Sequence, residues 1–286
     1  MKIPPLPPEK QAAHDANYNL RARWQQHAAF MAEWAQKGEA AAKQPGWNLD
    51  IPYGPGPAQT LDFLAPARKL GRRAPLFAFI HGGYWKALDK RDVRQLGAAY
   101  AARGIAFAAL NYALAPAVSI ETIVRQIRAA LDFLWREAPR LGVDPGRIFV
   151  GGHSAGGHLS AIVCADNQPL AFPLAGAFSV SGVYDLEPLA QSLHQVELKL
   201  DRRQVEAYSP LRRAPKPGTR IWATVGADET PAFLAQQKAF AASWRAQGAK
   251  VTVVPAPGLH HFDILAKVAD FRHPIGRAAL AMIEGT

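Results

Sequence analysis

The segment Arg147-Ile-Phe-Val-Gly-Gly-His-Ser-Ala-Gly-Gly-His158 decides how this chain is read. An apolar run from Arg147 to Val150 suits a buried strand, and the apolar stretch Leu159 to Ala165 suits a helix. Between them lies Gly152-His153-Ser154-Ala155-Gly156, a G-x-S-x-G turn in the strand-turn-helix setting that motif requires. Glycines flank the serine because a sharp turn forces strained backbone angles and leaves no room for side chains beside the hydroxyl. Ser154 is therefore a candidate nucleophile at a helix N-terminus, where the Ala155 N–H and the helix dipole favour developing negative charge. A phosphate loop would need G-x-G-x-x-G or G-x-x-x-x-G-K-[ST], and neither pattern fits residues 151–158. A purely structural glycine turn stays open on this motif alone.

Outward from the turn, short apolar runs alternate with longer helical segments. The runs are Leu76–Ile80, Ile105–Leu110, Arg147–Val150, Ala175–Val180, Arg220–Val225 and Lys250–Val254. The helical segments are Asp89–Arg103, Ser119–Glu137, Pro231–Gln247 and a tail after Phe262. Strands that are apolar at every position and separated by helices predict a parallel sheet covered on both faces, an α/β domain. Before it, Asp15 to about Lys43 has a helix-favouring composition, and the Pro- and Gly-rich stretch 45–57 reads as an ordered loop leading to strand-like residues at 59–64. The expected division is an N-terminal helical segment and loop, 1–58, forming part of a cap, and a main domain, 59–286, with a polar insertion at 185–220.

The 286 residues are 49% hydrophobic and 20% charged, enough for a sizeable core and against disorder. The net charge of +10 would suit an anionic partner, but both signs are interspersed along the chain, so nucleic-acid binding is not expected. From Lys199 to Arg220 the cations 199, 202, 203, 212, 213, 216 and 220 outnumber the acids 201 and 206, which reads as a solvated surface loop ahead of an anion site. A single cysteine, Cys164, excludes an intrachain disulfide framework and fits a reducing compartment. No signal-like apolar run opens the chain, and its longest uncharged stretch, 167–184, is broken by prolines and glycines. The expectation is a cytoplasmic protein without membrane partners.

Directly after the strand Leu76–Ile80 comes His81-Gly-Gly-Tyr-Trp85. Enzymes of this strand-turn-helix architecture place further oxyanion donors there. The expected donors are the N–H groups of Gly83 and Tyr84, with Gly82 freeing the turn, His81 bracing it, and the rings of Tyr84 and Trp85 lining a pocket. An acid and a histidine should follow the serine in that order. Asp228 and Glu229 are adjacent carboxylates, of which at most one can hold an imidazole and the other is expected to cap the helix opening at Pro231. His260 and His261 follow the strand Lys250–Val254. Zinc is not expected of this pair, which lacks ligand spacing and further ligands. His14, His27, His158, His194 and His273 read as surface or packing residues.

The segments His81-Gly-Gly-Tyr-Trp85, Leu110-Asn-Tyr-Ala-Leu-Ala-Pro116, 152–158 and Ser181-Gly-Val-Tyr-Asp-Leu186 together resemble the arylformamidase (kynurenine formamidase-like) branch of the α/β-hydrolases. That branch is a cousin of the hormone-sensitive-lipase-like esterases, which carry H-G-G-G where this chain has Tyr84. The resemblance spans residues 60–286, and Tyr18–Arg23 is similar to the leading helix of bacterial members. It implies an α/β-hydrolase fold, with a mostly parallel central sheet, helices on both faces and a small cap from the N-terminal segment and the insertion. The family pattern acid-x-Pro-x-Phe-x-x-Gln falls on Glu229, Pro231, Phe233 and Gln236, and its His-Phe pair falls on His261. The implied catalytic residues are Ser154, Glu229 and His261. The implied oxyanion donors are Gly83, Tyr84 and Ala155, and Trp85, His81 and Gly82 would adjoin the substrate. The resemblance further implies serine hydrolysis of small-acyl aryl amides or short-chain aryl esters, with no cofactor or metal. The expected partner is a small molecule bearing an aryl group, and a homodimer is allowed. Rival readings are a general short-chain carboxylesterase and a non-catalytic binding protein on the same fold.

Overall fold

Every residue from Ala74 to Ile80, from Ala106 to Leu110 and from Gly176 to Val180 is buried. Successive side chains of a strand point to opposite faces, so burial at every position means that both faces of the sheet are covered. The computed structural model describes residues 3–67 and 73–285. The chain opens with α1 (Pro8–Tyr18), α2 (Leu20–Arg23) and α3 (His27–Ala42), followed by β1 (Trp47–Pro52), β2 (Thr60–Leu64) and β3 (Ala74–Ile80). A 3-10 segment, Lys90–Leu96, runs into α4 (Gly97–Ala102), then β4 (Ala106–Leu110), α5 (Ile120–Glu137), β5 (Val143–His153) and α6 (Ala155–Ile162). After β6 (Gly176–Val180) come the short helices α7 (Glu187–Ala190), α8 (Gln195–Leu198) and α9 (Arg202–Tyr208). The chain ends with β7 (Arg220–Thr224), α10 (Pro231–Ala246), β8 (Lys250–Val253), α11 (Ile264–Lys267) and α12 (Pro274–Glu284).

Among the described residues these strands form one eight-stranded sheet in the order β1-β2-β4-β3-β5-β6-β7-β8. β2 pairs antiparallel with both β1 and β4, and all other pairings are parallel. The fold is that of an α/β-hydrolase. Its register positions the site: Ile80 lies opposite Gly152, His153 opposite Val180, and Val180 opposite Thr224. The carboxyl ends of β3, β5, β6 and β7 are therefore level, and the loops that leave them share one edge of the sheet. α5 shows how the helices are attached: Ser119 accepts from the Thr122 N–H as its cap, and Ile120, Ile123, Val124, Ile127, Leu131 and Leu134 form the buried stripe.

Three sequence expectations need correction. The N-terminal helix is broken at Asn19, whose side chain accepts from the Ala22 N–H and starts a new helical turn, and again at the extended Trp24. Asparagine competes with helix continuation through this local bond. The stretch 45–57 is not all loop: Trp47–Pro52 is an edge strand on β2, stabilised by tertiary pairing that local composition does not report. The insertion is not a solvated loop but α7–α9, held by ion pairs of Arg212 with Asp185, Glu187 and Glu206, of Arg203 with Glu121, and of Arg213 with Asp166. No helix of the described residues is long and apolar enough to cross a membrane.

Candidate active site

Ser154 links β5 to α6 with φ 58° and ψ −116°, a strained conformation at the level edge of the sheet. Its N–H donates to the Val180 carbonyl at 2.8 Å, and its carbonyl accepts from His158 N at 3.0 Å, so the turn is fixed on both sides. The glycine after it is obligatory: a Cβ at Gly156 would lie 2.1 Å from the Ile80 carbonyl oxygen. α6 can therefore press against the end of β3, bringing the loop after β3 beside the serine.

Glu229 and His261 come from the loops after β7 and β8. His261 Nδ1 donates to Glu229 Oε2 at 2.7 Å. The other carboxylate oxygen accepts from Ser181 Oγ at 2.5 Å and from the Gly226 N–H at 3.0 Å. The Glu229 carboxylate is fully buried, so these three donors replace the water it has lost. With its Nδ1 proton committed to the carboxylate, a neutral His261 ring carries its lone pair on Nε2 and can act as a base. Asp228 is exposed and does not cap α10, whose N-cap residue is Thr230 with no side-chain cap bond; the expected capping role is corrected. His260 lies outside this cluster, stacked on Trp24 and paired with Asp263.

The loop after β3 brings Gly82 against the elbow: a Cβ there would lie 3.1 Å from Ser154 Cβ. Gly83 has φ 97°, and a Cβ would meet the Ala87 carbonyl oxygen at 2.1 Å, so only glycine fits. Among the described residues none accepts a hydrogen bond from the backbone N–H of Gly83, Tyr84 or Ala155, which leaves three donors near Ser154 unengaged. The Tyr84 ring lines the adjoining cavity. Trp85 and His81 do not. Trp85 is fully buried, packed edge-on against His158. His81 is also fully buried, stacked face to face on Tyr112 at 4.2 Å. Both, and the buried Gly82, which does not line the cavity either, are corrected from substrate-adjoining to internal positions.

The cavity measures about 190 Å³ and joins Ser154 and His261 to Leu20, Met31, Trp34, Tyr84 and Phe262. Its wall is thus built from the N-terminal helices as well as from the loops of the sheet. Two of its histidines are unexpected in the cavity wall: from sequence, His153 carries no expected role, and His194 reads as a surface or packing residue. His153 donates through Nε2 to the His261 carbonyl, and burial, reinforced by the nearby positive form of His261, holds its pKa well below the ordinary value. His194, from the insertion, stacks on Tyr84 at 3.8 Å, and burial lowers its pKa to about 4. Both stay neutral at pH 7. The place of His153 beside the serine was a usable signal, since it ends a strand at the sheet's functional edge. For His194 the sequence holds none.

A family model described as BD-FAE matches residues 61–184. Kynurenine formamidase of Salmo salar is 26% identical over 266 residues, covering 90% of this chain and 88% of that protein. The crystal structure of a proposed thioesterase from Silicibacter sp. tm1040 superposes with a TM-score of 0.79 at 28% identity, covering 94% of this chain and 98% of that one. The chain is an α/β-hydrolase, similar to kynurenine formamidases and to esterases. Esterase LipQ of Mycobacterium tuberculosis is 28% identical over 245 residues, 77% of this chain and 58% of that protein. The likeness to relatives named kynurenine formamidase and esterase marks the chain as a hydrolase enzyme. The elbow, the loop after β3 and Ser181 all fall inside the segment 61–184, whereas Glu229 and His261 lie beyond it.

Proposed function

We propose that this hydrolase cleaves small-acyl aryl amides, N-formyl arylamines first, or short-chain aryl esters, through an acyl-enzyme on Ser154. The observation that carries the reading is the 2.7 Å bond from His261 Nδ1 to Glu229 Oε2 in the cavity wall that also holds Ser154. Ser154 Oγ attacks the carbonyl while His261 Nε2 takes its proton, and Glu229 holds the ring in that tautomer and stabilises its charged form. The backbone N–H groups of Gly83, Tyr84 and Ala155 receive the oxyanion, each worth about 2.7 to 4 kcal/mol of transition-state stabilisation. His261 returns the proton to the leaving amine or phenol, and then activates the water that frees the acyl group.

The cavity supports an aromatic, single-ring substrate. An apolar cavity of about 150 Å³ holds benzene, so about 190 Å³ lined by Trp34, Phe262, Met31 and Tyr84 admits one ring and a short acyl group. The relatives named kynurenine formamidase favour the amide, and the relative named esterase favours the ester. The test is labelling with a fluorophosphonate followed by peptide mapping, joined to kcat/KM for N-formylkynurenine, formanilide, 4-nitrophenyl acetate and a long-chain 4-nitrophenyl ester. Label on Ser154 with preference for the formamides or the acetate supports the reading. No label in folded protein, or preference for the long chain, overturns it. Acetate turnover without formamide turnover leaves the short-chain carboxylesterase.

A further inference from the structure

The segment Leu110–Pro116 leaves β4 beside the loop His81–Lys90, and Asn111 touches both ends of that loop. Its Oδ1 meets His81 Nε2 at 3.1 Å and accepts from the Lys90 N–H at 3.3 Å. Its Nδ2 donates to Asp89 Oδ2 at 3.0 Å. The orientation of this amide is not arbitrary: the Lys90 N–H can only donate and the Asp89 carboxylate can only accept, so Oδ1 must face Lys90 and His81. The His81 ring meets acceptors at both nitrogens, Asn111 Oδ1 at Nε2 and the Gly82 carbonyl at Nδ1, 2.9 Å away, and the neutral ring donates to one of them. The main chain of Asn111 is equally committed, its N–H to the Thr60 carbonyl at 3.1 Å and its carbonyl to Tyr53 Oη at 2.6 Å. The neighbouring residues grip the middle of the loop. Tyr112 Oη donates to the carbonyls of His81 and Gly82 at 3.2 and 3.1 Å, and the Ala115 N–H donates to the Trp85 carbonyl at 2.8 Å.

We propose that Asn111 is a positioning residue which closes the His81–Lys90 loop and so holds the Gly83 and Tyr84 N–H groups where an oxyanion forms. The assignment rests on the proposed role of those N–H groups. Tyr84, Trp85 and Leu88 lie at φ 50°, 56° and 71°, so the loop occupies a conformation that these residues do not favour and that outside contacts must maintain. A side chain that ties residues 81, 89 and 90 together spans the whole excursion. Loss of the tie should weaken transition-state binding while leaving the aromatic wall, and hence ground-state binding, in place.

The test uses the full chain as wild type, Asn111→Ala, Asn111→Asp, and the swap Asn111→Asp/Asp89→Asn. Readouts are fluorophosphonate labelling of Ser154, kcat and KM for phenyl acetate, inhibition by an aryl trifluoromethyl ketone that adds to the serine as an oxyanion mimic, and melting temperature. Asn111→Ala should lower kcat about 10- to 100-fold and weaken the ketone by a similar factor, with KM changed less than about threefold. Asn111→Asp should be at least as impaired, because it sets two carboxylates against each other. The swap lets residue 89 donate to residue 111 and should recover most of kcat and of ketone binding. A folded Asn111→Ala with wild-type kcat and ketone affinity overturns the proposal, as does a folded swap no better than Asn111→Asp. If Asn111→Ala does not fold, the swap decides alone. Failure of the underlying reading shows elsewhere, as absence of label on Ser154 in the wild type.

Discussion

Tyr84 Oη donates to the main-chain carbonyl of Tyr18 across 2.7 Å, tying the loop after β3 to the end of α1. The same carbonyl accepts from His194 Nε2 at 3.1 Å. Three segments far apart in sequence therefore meet at one oxygen beside the cavity, and the N-terminal helices are part of the site's wall. Tyr84→Phe removes one of the two bonds while the ring stays stacked on His194. A net loss of about 1 kcal/mol should appear as roughly a fivefold fall in kcat/KM together with a lower melting temperature. Unchanged kinetics would mean that the link does not influence the loop.

Ser181 sits at φ 49° and directs its hydroxyl to the Glu229 oxygen that His261 does not use. Ser181→Ala takes one donor from a buried carboxylate. Bonds to charged groups are worth about 1.5 to 3 kcal/mol, so kcat should fall about tenfold or more with KM nearly constant. Steady-state kinetics on 4-nitrophenyl acetate would check this, and a KM effect without a kcat effect would contradict it.

Trp34 is buried in α3, stacked on Phe262 and edge-on to His153, with its ring in the cavity wall. Trp34→Ala should cost aryl substrates about tenfold or more in kcat/KM, from lost apolar contact of about 1.5 to 3 kcal/mol, and should affect ethyl acetate much less. Equal losses on phenyl and ethyl acetate would argue against an aryl site.

Acid should destabilise the fold through its buried histidines. Burial lowers the pKa of His81, His158 and His194 to about 4, and holds that of His153 well below the ordinary value. Unfolded, each titrates near 6.5. Between these values the unfolded chain binds more protons than the folded one, so stability is full above about pH 6.5 and declines as pH falls toward about 4. The decline is about 1.4 kcal/mol per histidine for each unit of pKa difference. Urea midpoints at pH 7 and pH 5 measure it, and a midpoint that held steady or rose toward pH 5 would refute it.

Much of the architecture was written locally. All-apolar runs such as 76–80 and 106–110 have no polar face to expose, so they had to become strands covered on both sides. The serine between glycines at a strand-to-helix junction likewise carries its geometry in its own backbone, because only small neighbours allow that turn. The choice between Asp228 and Glu229 was not local: both are carboxylates one residue apart, and the folded loop leaves Asp228 exposed while burying Glu229 beside His261. The fate of the aromatics was not local either. Trp34 reached the cavity, Trp85 turned into the core against His158, and Trp47 packed on Phe107 from an edge strand that composition had hidden. A residue's own pattern of neighbours in sequence determines which element it joins and which side of that element is apolar. Whether that side faces a core or a cavity depends on which distant segment covers it, and here the covering segments, α1–α3 and α7–α9, lie more than a hundred residues apart in the chain and meet only in the folded protein.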